Sequence, residues 1–375
     1  MDIESVYSAE SVYSSEASDS ELLSMLTSVT LNGMDLDGHE LHQRLAEQPP
    51  SQRAELEAVH AANNRLTRLP TLLPAFPALR MLNLSHNQLT EVSDAILALP
   101  ALTNLVLKHN DLGNASLPKD FGLLRHLREL NISGNNFTQV PPQVLELANL
   151  SDLYMASNQL ECVPENIHRL QRLRVLQLGG NNLTSVPATL GNLTILQVLV
   201  LCDNRLTELP ESICSLPRLR TLLLHANQLS TLPGSIVRLR ALKQLSLRDN
   251  PLVRDFVGTI EYEPSSLLEL AARCVKLHNI PYGPGDLPAA LIEHLASAKH
   301  CVNKRCKGVF FDTRVEDVQF VDFCGMYHIP LMRYLCSSNC ERLQVTERGQ
   351  RSDESDSDDE VGGWRQRRLR RVLLG

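Results

Sequence analysis

Aromatic residues are scarce, making up 4% of the 375-residue chain with a single tryptophan. That argues against an enzyme core built around large side chains and in favour of small stacked units. No basic excess exists: Lys and Arg number 36 against 43 Asp and Glu, for a net charge of −7. The electrostatic footprint of a nucleic-acid binder is therefore missing. No apolar run reaches the roughly 18 residues of a membrane-spanning helix. The opening MDIESVYSAESVYSSEASDSE is acidic and serine-rich, without the basic start and apolar centre of a secretory leader. These absences predict a cytoplasmic or nuclear protein that binds neither nucleic acid nor membrane. Its nine cysteines are then reduced thiols or metal ligands. Walker-type, HExxH and GxSxG patterns are also missing, so no catalytic residue is expected.

What the chain has is self-similarity. The pattern LxxLxLxxNxL ends at Asn64, Asn87, Asn110, Asn135, Asn158, Asn181, Asn204, Asn227 and Asn250, in steps of 23 residues except one of 25. A period of this kind is the signature of leucine-rich repeats, and the fold class predicted is an α/β leucine-rich repeat solenoid. Each unit sends alternate leucines inward from a short strand, such as Leu199 and Leu201, to stack on the next unit. The asparagine turns the chain, and its amide can satisfy backbone groups of neighbouring turns. A Leu-Pro pair such as Leu209-Pro210 starts the return path. The strands should form a parallel sheet on the concave face.

The outward positions of those strands are candidate contacts for a protein client, and here include Met81, Tyr154, Val175, Val198, Val200, Leu223, His225 and Arg248. Cys202 belongs to the same set. Tyr154, Val175, Val198, Val200 and Leu223 are apolar where a solvated sheet favours polar groups, and they occupy consecutive repeats. A contiguous exposed apolar patch marks a binding surface, although valine also simply suits strands.

After the repeats, SLLELAARCV opens with Ser266 and places Glu269 three residues later, a capping-box spacing. Leu267, Ala271, Cys274 and Val275 share one helical face, while Leu268 and Leu270 fall elsewhere. One side of this helix can close the last repeat, leaving the other for a second surface. Ser266, Leu267, Ala271 and Val275 also match the Ser/Thr-Leu-x-x-x-Cys/Ala-x-x-x-aliphatic pattern of the BC-box, the element that docks on elongin C. Leu287, Pro288, Leu291 and Leu295 downstream are similar to a cullin-2 box. A cullin-5 box usually carries a second proline that LPAAL lacks, which leans towards cullin-2.

Residues 301–340 hold the pairs Cys301/Cys306 and Cys336/Cys340, with GVFFD and VQFVDF between them as the expected strands of a hairpin. Two close cysteine pairs bracketing a hairpin suit one tetrahedral structural zinc. Cys324, His300 and His328 are spare ligands, and reduced structural thiols are the alternative. The tail SDESDSDDEVGGWRQRRLRRVLLG divides into an acidic block with Ser352, Ser355 and Ser357 and a basic end, and reads as a solvated disordered segment. The expected organisation is a disordered N-terminus at 1–45, repeats with caps at 46–260, box helices at 261–299, a cysteine-rich module at 300–341 and a disordered tail at 342–375.

The strings LVLCDNRL, LSLRDNPLV, SLLELAAR and FVDFCGMYHIPLMRYLC, within residues 55–340, resemble the leucine-rich repeat substrate receptors of cullin–RING ubiquitin ligases. The resemblance implies a non-catalytic adaptor that binds elongin B/C and cullin-2 or cullin-5 with its RING protein, and presents an unidentified protein client for ubiquitination. The competing reading is a non-ligase scaffold of Ras-type signalling, which would use the same concave surface without elongin.

Overall fold

A computed structural model describes residues 27–252, 266–303, 306, 308–323, 327–337, 340 and 371–373, with the backbone alone for 316–323, 327–328 and 371–373. Two compact units divide the chain, Met1–Asn135 and Asn136–Gly375.

In the first unit, strands β1 (Ser28–Thr30), β2 (Ala58–His60), β3 (Met81–Asn83), β4 (Asn104–Val106) and β5 (Glu129–Asn131) pair in parallel, each with its sequence neighbour. Between β1 and β2 lie helices α1 (Gly38–Ala46) and α2 (Pro50–Glu55). Asp37 caps α1 in a full capping box with Glu40, and the helix buries Leu41 and Leu45. Ordered structure thus begins within the stretch expected to be disordered, because that capped amphipathic helix closes the first repeat's apolar edge. Residues 1–26 lie outside the described residues.

The second unit continues the pattern with β6 (Asp152–Tyr154), β7 (Val175–Gln177), β8 (Val198–Val200), β9 (Thr221–Leu223), β10 (Leu232–Pro233) and β11 (Gln244–Ser246). β6 to β9 and then β11 form a parallel sheet. Inward leucines such as Leu199 and Leu222 are fully buried. Each asparagine is a bridge between turns. The Asn204 Oδ1 accepts the Leu183 N–H at 3.0 Å, and its Nδ2 donates to the Leu178 carbonyl at 2.9 Å. Buried polar groups need such partners, which is why the amide recurs at every step. Past β6, β7, β8 and β9, a Leu-Pro or Val-Pro pair opens a short 3₁₀ turn, as at Glu211–Ser215, which buries Ile213.

Beyond the repeats come helices α3 (Leu267–Leu277) and α4 (Ala289–Ala296), then β12 (Lys299–His300), β13 (Val309–Phe310), β14 (Val315–Phe323) and β15 (Tyr327–Leu335). The strand pairing differs from expectation. Segment VF of GVFFD pairs with β12, and the long hairpin is instead β14 against β15. β14 takes the later strand as its antiparallel partner over its whole length, from Val315 opposite Leu335 to Phe323 opposite Tyr327. β15 also pairs in parallel with β10 at Leu331 and Met332, fastening the hairpin to the return side of a repeat. Gly234 permits this approach, since a Cβ there would meet the Met332 carbonyl at 2.8 Å.

The two helices share one core with the β13 segment. Ala272 of α3, Leu295 of α4, Val309 and Phe311 are buried together, with Val275, Tyr282 and Leu287 packed against them. At the far end of the repeats, Arg371–Leu373 (β16) pairs with β11, so a short piece of the tail is a strand rather than disordered chain. Ser352, Ser355 and Ser357 of the tail lie outside the described residues.

Candidate functional site

Helix α3 is held down by one face. Ser266 caps it, accepting the Glu269 N–H at 3.1 Å. Glu269 is 2% exposed despite its charge. Its Oε1 accepts the Phe311 N–H and its Oε2 the Asp312 N–H, each at 3.0 Å. Arg273, one turn on, pairs with the same carboxylate at 2.7 Å, and also donates to the carbonyls of Cys336 and Thr313. Burial pushes the Glu269 carboxyl up; the two N–H groups and the guanidinium more than reverse this, holding it below the ordinary carboxylate range. A buried charge is tolerated only when paired and bonded in this way.

The opposite face of α3 is apolar and bare. Leu267 is 86% exposed, Leu270 51% and Leu277 47%, with Ala271 and Cys274 exposed between them. Leu268 and Ile280 extend the patch. Positions i, i+3, i+4, i+7 and i+10 from Leu267 form the stripe that a helix presents to a groove. Among the BC-box positions, Leu267 and Ala271 lie on this stripe. Val275 does not; it is half-buried against the shared core. Cys274, already placed on this face by the helical spacing, is joined by Leu270 and Leu277, which that reading left off it.

The downstream box residues are mostly structural. Leu295 is 4% exposed within the core, so it cannot serve as a partner contact while the helices stay packed. Leu287 and Leu291 are half-buried, and Pro288 is exposed at the start of α4.

Four cysteines meet beside α3. The sulfurs of Cys301, Cys306, Cys336 and Cys340 all lie within 4.8 Å of one another. The Cys306–Cys336 and Cys336–Cys340 separations are 3.5 Å each. Tetrahedral zinc–thiolate bonds imply roughly 3.8 Å between sulfurs. The Gly308 N–H donates to the Cys306 sulfur at 3.2 Å, and a Cβ on Gly308 would meet the Cys336 sulfur at 2.5 Å. Burial pushes the Cys306 thiol up, but the Gly308 N–H and the neighbouring thiols bring it below its ordinary range. Burial and the neighbouring thiols push Cys336 up. His300 lies exposed on β12 and outside the group. Cys324 and the side chain of His328 lie outside the described residues.

The sheet surface corrects the sequence reading. Val200, Cys202 and Leu223 are 2%, 1% and 5% exposed and pack together with half-buried Val198. Adjacent parallel strands lie about 4.8 Å apart, so neighbouring apolar side chains cover one another and the expected open patch closes over. Cys202 is therefore buried rather than offered on the face, and burial pushes its thiol up to about 12. Tyr154, Val175 and His225 remain half-buried, as does Met81 in the first unit, and Arg248 is exposed.

Known proteins carry the same repeats. The family described as "Leucine rich repeat" matches residues 54–112 and 125–183, and "Leucine-rich repeat region" matches 156–270. Leucine-rich repeat-containing protein 58 of Xenopus laevis is 49% identical over 126 residues, covering 33% of this chain and 35% of that protein. Its Homo sapiens counterpart is 55% identical over 87 residues, 23% of this chain and 24% of that protein. The matched stretches thus span about a third and a quarter of those relatives. Among solved structures, a Leptospira interrogans leucine-rich repeat protein has a TM-score of 0.45 at 28% identity, covering 61% of this chain and 74% of that one.

Proposed function

The chain being a leucine-rich repeat protein, of a class that commonly serves as a binding scaffold, we propose that it is the client-recognition adaptor of an elongin BC–cullin RING ubiquitin ligase. The observation that carries this reading is the bare apolar stripe of α3, Leu267, Leu270, Ala271 and Leu277, on a helix whose other face is anchored by Glu269 and Arg273. Soluble domains rarely leave such a stripe uncovered, and its spacing suits insertion into a groove of the kind elongin C offers. In this role the protein is no catalyst. It raises ubiquitination by holding client lysines near the conjugating enzyme. The client lies on the sheet face, where Tyr154, Val175, His225 and Arg248 are available beside the packed Val200 and Leu223.

Zinc belongs to the same proposal. Cys301, Cys306, Cys336 and Cys340 hold a structural ion that stiffens the module on which α3 is mounted; the sulfur spacing and the Gly308 contact support it.

The test is a pull-down of wild type beside a Leu267→Ala, Ala271→Asp variant, probed for elongin C, cullin-2 and cullin-5. Capture by wild type and loss by the variant, with unchanged circular dichroism, supports the adaptor; the cullin recovered identifies which box operates. If wild type captures no elongin C, the ligase reading falls and the repeats act as a scaffold without it.

A further inference from the structure

A second group of metal-type donors lies on the repeats themselves, away from α3 and the four-cysteine group. Val200 and Leu223 are register partners across β8 and β9, so two residues further on Cys202 and His225 come side by side on the same face. Asp203 follows Cys202 in the turn with a positive φ of 52°. The Cys202 sulfur, an Asp203 carboxylate oxygen and a His225 ring nitrogen all lie within 4.8 Å of one another, and His225 Nε2 is 3.8 Å from Asp203 Oδ2.

Three observations separate this group from an incidental one. The equivalent positions of the other repeats hold Ala62, Ser85, Lys108, Ser133, Ala156, Gly179 and Arg248, so a Cys or His stands there only in the two adjacent repeats that carry Cys202 and His225. Gly179 leaves room for the thiol, because a Cβ there would meet the Cys202 sulfur at 2.9 Å. Finally, Asp203 Oδ2 and His225 Nδ1 are buried with no hydrogen-bond partner, although buried polar atoms are ordinarily satisfied. An ion between the three side chains would provide the missing partner for whichever of these atoms it engages.

We propose that Cys202, Asp203 and His225 form a zinc site distinct from the four-cysteine group, with its fourth coordination position open on the sheet face. A mixed thiolate, carboxylate and imidazole set suits zinc rather than a hard cation. Binding displaces the Cys202 thiol proton to solvent, leaving thiolate and carboxylate to neutralise the divalent charge. Three protein ligands leave one position for water or for a donor atom of whatever lies on this face, which would tie recognition there to metal. The site does not depend on the ligase reading.

The test is a zinc titration of the metal-free, reduced full chain against a chromogenic competitor, comparing wild type with a Cys202→Ala, His225→Ala variant. Wild type is expected to bind one equivalent more than the variant, and cobalt substituted for zinc to give a thiolate charge-transfer contribution that the variant lacks. Equal stoichiometry in the two proteins overturns the site. Should the variant lose the wild-type circular dichroism, Asp203→Asn, which preserves side-chain shape, replaces it. An equivalent weakened tenfold or more then supports the site, and unchanged binding of every equivalent overturns it.

Discussion

Arg273 donates to the backbone carbonyl of Cys336 at 2.6 Å, joining α3 to the four-cysteine group across 63 residues of sequence. The guanidinium that pairs with Glu269 thus also touches one of the four thiol-bearing residues. One side chain anchors α3 and meets the four-cysteine group.

Removing metal should loosen that helix. With zinc bound by the four cysteines, a strong chelator is expected to raise hydrogen exchange at the Phe311 and Asp312 amides, which Glu269 accepts, while repeat amides stay protected. Mass-resolved exchange with and without chelator measures this. Gly308→Ala should behave like partial metal loss, because its Cβ would strike the Cys336 sulfur.

Acid should act through Glu269. Its carboxyl is held below the ordinary value of 4.5, so its contribution is fully present above that pH and is lost as the pH falls through the depressed native value. Thermal unfolding followed from pH 7 to pH 3 should show the module weakening only at the acid end. Glu269→Gln should flatten that dependence and cost about 3 kcal/mol at neutral pH, because Arg273 then loses its charged partner.

Two leucines of the box segment should separate binding from folding. Leu267→Ala, at an 86% exposed position, should leave stability within about 0.5 kcal/mol. The same change should weaken elongin B/C binding by roughly 30- to 1000-fold if Leu267 is an anchor. Leu295→Ala, in the core, should instead cost about 2–5 kcal/mol of stability. Calorimetric titration and thermal melts on the two variants distinguish the effects.

The repeat asparagines should prove individually costly. Asn181 accepts the Leu160 N–H at 2.9 Å and donates to the Met155 and Leu178 carbonyls at 3.0 and 2.9 Å. Asn181→Ala leaves those buried groups unpaired, at about 1–3 kcal/mol. A denaturant melt should show the unfolding free energy falling by that amount.

The sequence by itself determined the repeat register, the inward leucines, the asparagine bridges and the Ser266 cap. All of these follow from short-range periodicity, in which a residue's neighbours are set by one strand, one turn or the next repeat. Only the tertiary structure decided which side of α3 stays bare, because that depends on Glu269 meeting Phe311 across 42 residues and Arg273 meeting Cys336 across 63. It also decided that β14 pairs with β15, that Val275 and Leu295 turn into a core, and that Val200, Cys202 and Leu223 close over one another. The physical reason is the same throughout: periodicity specifies which face of an element is apolar, whereas burial depends on what docks against that face, and the docking partners lie far away in the chain.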